Sequence, residues 1–104
     1  NKLAKKYLSE AKISLQKKDV FYVALEKALH NFLKSKLSIE TSDYSKEKIK
    51  SLLFKKNIQN ESIDLFIILI ENCEYARYTP SSNVGINNDY ENAVKVIAEI
   101  DKQI

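Results

Sequence analysis

One glycine, Gly85, and one proline, Pro80, are the only strong backbone breakers in a chain of 104 residues. All-β folds draw on both residue types at their many reversals. This chain has almost nothing with which to build them, and its apolar residues recur at helical spacing from Leu3 onward. The expected class is therefore all-α.

Five helices follow from the spacing. Leu3, Ala4, Tyr7, Leu8, Ala11 and Leu15 mark a first helix over Leu3 to Lys17. Phe21, Ala24, Leu25, Ala28, Leu29, Phe32, Leu33 and Leu37 mark a second over Val20 to Leu37. Lys18 and Asp19 form the link, and Asp19 is the expected cap. So short a connection favours an antiparallel helical hairpin, and Ala11, Ala24 and Ala28 permit its helices to approach closely. A third helix over Lys46 to Lys56 carries Ile49, Leu52 and Leu53, with Asp43 or Ser45 as its cap. A fourth runs from Glu61 to Tyr78. Ile63, Phe66, Ile67, Ile70, Cys73 and Arg77 lie along one side, and Leu65, Ile68 and Leu69 widen the apolar surface to most of the circumference. That pattern predicts a buried central helix, ended by Pro80. A fifth helix over Asp89 to Gln103 carries Tyr90, Ala93, Val94, Ile97 and Ile100 or Ile104, and Asn88 with Glu91 has capping-box spacing. The expected architecture is an irregular bundle of about five helices, opening with the hairpin and centred on helix four.

Composition narrows the function classes. The net charge of +3, from 17 basic and 14 acidic residues, is too small and too evenly spread to announce a nucleic-acid binder. The longest unbroken apolar run, Leu65 to Ile70, is six residues, where a spanning helix needs about 20. Cys73 stands alone, so no internal disulfide forms, and a lone thiol fits a reducing compartment. The chain opens on Asn-Lys-Leu-Ala, contains no Met, and enters its helical pattern at once. Those features lead us to expect a single domain excised from a larger protein.

The inventory of reactive groups is short. His30 has no second histidine to complete a metal or catalytic set, and a zinc site needs three or four ligands. Cys73 falls on the apolar side of helix four, where a cysteine is a small core residue. A single glycine cannot make a phosphate-cradling loop. We therefore expect no catalytic residue, no metal, no cofactor and no small-molecule substrate.

The end of helix four is more distinctive. Glu74, Tyr75, Arg77 and Tyr78 crowd into its last turns. Arg77 is the only arginine in a chain with 16 lysines, 12 isoleucines and 9 asparagines, a bias that resembles an AT-rich coding genome. Its planar fork pairs bidentately with carboxylates and stacks on aromatic rings, as the lysine ammonium does not. Two roles are open. Arg77 ties helix four to a neighbour, with Glu74 or a carboxylate of another helix as partner, or the four residues form a docking patch.

Cys73-Glu-Tyr-Ala-Arg-Tyr-Thr-Pro80 resembles the Cys-Glu-aromatic-Ala-Arg-Tyr-x-Pro signature near the C-terminus of the BatD family of the Bacteroides aerotolerance operon. Phe21 to Leu37 is similar to that family's second cytosolic helix, and Ser45-Lys-Glu-Lys-Ile-Lys and the last helix also fit. The resemblance spans nearly the whole chain, but only the Cys-Glu-Tyr-Ala-Arg-Tyr stretch is specific. It implies a cytosolic tail of a single-pass, membrane-anchored protein, on the cytoplasmic side of the inner membrane. The lysines of helix one would then lie just inside that membrane, as the positive-inside rule expects. It further implies partners among von Willebrand A-type membrane proteins and a MoxR-type ATPase, a role in aerotolerance and oxidative stress, and no enzymatic activity in the tail.

Three other functions compete. A TPR-like adaptor would need repetition beyond the first hairpin, which is lacking. A HEPN-like nuclease places an arginine shortly before a histidine on one helix, whereas here His30 precedes Arg77 on a different one. Nucleic-acid binding would need a more concentrated basic face.

Overall fold

The structure, a computed structural model, describes residues 2–40, 45–78 and 85–104, with the side chains of Arg77 and Tyr78 outside the description. Six helices occupy them: α1 (Lys2–Tyr7), α2 (Ser9–Ile13), α3 (Lys18–Leu37), α4 (Lys46–Lys55), α5 (Asn60–Tyr78) and α6 (Ile86–Gln103), with no strand among the described residues. The radius of gyration, 12.9 Å, matches the about 13 Å of a compact domain of this length. The fold is the all-α bundle that the spacing predicts.

The expected first helix is two pieces. At Leu8 the backbone leaves helical angles (φ −97°, ψ 11°). The Leu8 N–H still donates to Ala4 and its carbonyl still accepts from Lys12, so the axis bends without the hydrogen bonding being lost. The apolar stripe survives the bend: Ala4, Leu8 and Ala11 are fully buried, and Leu3, Tyr7 and Leu15 pack against the core. The helix stops at Ile13 rather than Lys17, because Ser14 donates to Ala11 three residues back and tightens the turn.

The connection to α3 is therefore 14–17, and Asp19 does not cap. Lys17, in extended conformation, is the N-cap and makes no side-chain cap bond. Asp19 lies inside the first turn, where its charge still suits the helix dipole. Tyr7 stacks edge-on against Phe32 at 5.6 Å, while Glu10 lies near Val20 and Ala24. Advancing along α1–α2 thus means retreating along α3, the antiparallel hairpin expected.

α4 begins at Ser45, whose Oγ accepts from the Lys48 N–H at 3.2 Å. Asp43, the other candidate cap, lies outside the described residues. The helix ends in a Schellman turn: Asn57 takes left-handed angles (φ 66°), the Ile58 N–H donates to Leu53 and the Asn57 N–H to Phe54. α3 ends similarly on Ser38 (φ 56°), with the Ser38 and Ile39 N–H groups both donating to Leu33.

α5 packs against α3, α4 and α6, and α3 against α1, α2, α5 and α6, so the two helices share the centre. Ile63, Phe66, Leu69, Ile70 and Cys73 of α5 are buried. Three neighbouring helices do not enclose it fully. Ile67 is only partly buried, and Asp64, Ile68, Glu71 and Tyr75 face solvent along an open strip. α6 begins at Ile86, a turn earlier than Asn88 and Glu91 would place it, with Gly85 as N-cap and no side-chain cap bond. The capping box does not form, because Asp89 is drawn inward instead.

Candidate functional site

The last turns of α5 alternate between inward and outward residues. Cys73 is buried and Asn72 half-buried, on the side of α3 and α6. Burial first, then the nearby carboxylates of Asp89 and Glu74, push the Cys73 thiol from its usual 9.0 up to about 12. It is a protonated core residue at neutral pH. Tyr75 points the other way and is 69% exposed. Arg77 and Tyr78 lie in the helix, but their side chains, and with them the expected Arg77 pairing, lie outside the described residues.

Glu74, the local candidate partner for Arg77, faces α4. The Lys46 ammonium lies 3.2 Å from its Oε1 and 3.6 Å from Glu71 Oε2. Glu74 Oε1 is shut off from solvent, and this ion pair, rather than an aligned hydrogen bond, is its partner. The close contact with Glu74 raises the Lys46 pKa, burial opposes that shift, and Glu71 adds to the rise. The sole histidine is on α3, away from this cluster. Burial lowers the His30 pKa, while Glu40 works against that shift.

Beneath Cys73 lies a polar cluster that the apolar spacing does not announce. The Tyr22 hydroxyl of α3 donates to Asp89 Oδ2 at 2.6 Å, and the Asn72 amide of α5 donates to Oδ1 at 3.0 Å. Asp89 is buried, and its own N–H donates to the Gly85 carbonyl at 2.7 Å. Burial, the hydrogen bond to Asp89 and its charge hold Tyr22 well above the usual tyrosine range. A carboxylate in a low-dielectric setting needs such donors. Here they fasten three helices at one point beside Cys73. One sequence signal was available: Asp89 sits four residues before Ala93, on the inward stripe of α6.

A second polar fastening holds the far end of the α5–α6 pair. Gln103 Oε1 accepts from the Gln59 N–H at 2.6 Å, and Gln103 Nε2 donates to Ser62 Oγ at 3.0 Å. Ser62 in turn donates to Glu99 Oε2 at 3.4 Å.

Among the described residues no group of three or more His, Cys, Asp or Glu side chains is placed to hold a metal ion, and no helix is long and apolar enough to cross a membrane. No family model, curated protein or solved structure matches the chain.

Proposed function

We propose that the chain is a non-catalytic protein-interaction domain, the cytosolic tail of a BatD-like membrane-anchored protein on the cytoplasmic side of the inner membrane. In this reading it joins von Willebrand A-type membrane proteins and a MoxR-type ATPase in a complex serving aerotolerance and resistance to oxidative stress. The observation that carries the reading is the end of α5. The Cys-Glu-Tyr-Ala-Arg-Tyr segment that resembles the family signature follows directly on Asn72, which Asp89 holds, and is tied to α4 by the Lys46–Glu74 ion pair, while Tyr75 projects into solvent. An exposed aromatic on a helix held against its neighbours is the kind of anchor that dominates protein interfaces.

The test is capture of the MoxR-type ATPase, or of the cytosolic parts of the von Willebrand A-type proteins, from the same genome on the immobilised domain. Tyr75→Ala should weaken capture by about tenfold or more without moving the melting temperature. Failure to capture either partner, or equal capture by the variant, contradicts the reading.

Arg77→Lys separates the two roles open to that residue. A structural tie predicts a loss of about 1–2 kcal/mol in stability. A docking role predicts an unchanged melting temperature and weaker capture.

A further inference from the structure

The outer face of α3 carries exposed apolar side chains that no other described helix covers. Val20 is 50% exposed and Val23 59%, and Ile13, at the end of the adjacent α2, is 85% exposed. Glu10, Asp19, Val20, Val23, Ala24 and Lys27 line a shallow hollow of about 430 Å³ there. The charges around these valines specify what would cover them. Asp19, Val23 and Lys27 are successive i, i+4 positions, and so form one ridge along the helix surface. The ridge is acidic at one end, apolar at its centre and basic at the other. Asp19 and Lys27 make no ion pair with another described residue.

We propose that this ridge is a self-association surface whose partner is a second copy of the same chain. Two identical ridges laid antiparallel about a two-fold axis at Val23 bring Val23 against Val23. Each Asp19 then meets the other copy's Lys27, so the ion pair forms twice. A parallel arrangement would set like charges together. Such self-complementarity is what a two-fold interface requires. An anionic lipid surface fits less well, because Glu10 and Asp19 share the rim with Lys27. The few exposed side chains indicate a weak, reversible dimer rather than an obligate one.

Sedimentation velocity of the 104-residue chain from about 10 μM to about 1 mM should show a monomer–dimer equilibrium. Val23→Glu should abolish it without lowering the melting temperature. Asp19→Lys and Lys27→Asp should each weaken it about tenfold or more, and an equimolar mixture of the two variants should recover it as a heterodimer. Asp19→Lys also loses a favourable charge at the start of α3, so Lys27→Asp is the cleaner single variant. A wild-type chain that stays monomeric throughout overturns the proposal. So does a dimer indifferent to Val23→Glu, or a variant mixture that fails to associate. A monomer that instead co-sediments with phosphatidylglycerol vesicles assigns the face to lipid and overturns it equally.

Discussion

Asp89 occupies a position that the period of α6 would give to an apolar side chain, and Tyr22 and Asn72 make that placement tolerable. Removing one donor should be costly, since a buried acceptor left short of a partner loses about 1–3 kcal/mol. Tyr22→Phe should therefore lower the unfolding free energy by about that amount in a urea titration, with the slope unchanged. The same neighbourhood predicts an alkaline limit. The unfolded Cys73 thiol ionises near its usual 9.0 and the folded one near 12, so unfolding releases a proton between those values. Below that window the contribution is fully present; within it, each pH unit removes about 1.4 kcal/mol. Tyr22, also raised, adds a loss of the same sign above its usual 10.0. Melting temperatures should fall steadily above pH 9, and Cys73→Ala should flatten the first part of the fall. A flat profile through that range would contradict the burial argument. The sequence shows Cys73 as a core residue, because its neighbours at helical spacing are apolar. It hides the Asp89 cluster, because a polar residue on an apolar stripe is explained only by donors contributed from two other helices.

At the scale of elements, α3, α4 and α5 begin and end within two residues of where the apolar spacing places them. Their long, uninterrupted stripes explain why. The misplacements are the break at Leu8, which divides the expected first helix, its early stop at Ile13, and the helix starts. Lys17 and Gly85 start helices without a side-chain cap, so the preferences that pointed to Asp19 and to Asn88 with Glu91 were outweighed by tertiary packing. The stop at Ser38 is also unannounced, because a serine rarely takes left-handed angles. Ser38→Gly should relieve that strain and stabilise the domain by about 1 kcal/mol, raising the melting temperature by about 4–8 °C. Gln103→Ala should do the opposite locally. It removes the acceptor of the Gln59 N–H and the donor to Ser62, so amide exchange in the first turn of α5 should accelerate more than in its middle.

For the whole molecule, the shared centre of α3 and α5 means that stability is concentrated in side chains fully enclosed between them and their neighbours. Phe66 is one of the largest of these and is completely buried. Phe66→Ala should remove about 3–5 kcal/mol, enough to unfold a marginal domain of this size. Ile67→Asp should be milder, because Ile67 is only partly buried. The two polar fastenings of the α5–α6 pair have a further consequence. One joins Asn72 to Asp89 and the other joins Ser62 to Gln103, at opposite ends of the same antiparallel contact. Aliphatic side chains facing one another are interchangeable enough to accept a slip by one helical turn, about 5.4 Å. Such a slip would strand both sets of hydrogen-bonding groups at once. The fastenings therefore act less as sources of cohesion than as a vernier, admitting a single alignment from several that the apolar surfaces would accept. A chain lacking both, through Asp89→Leu and Gln103→Leu, should keep its helix content while its side-chain spectra broaden into a mixture of alignments.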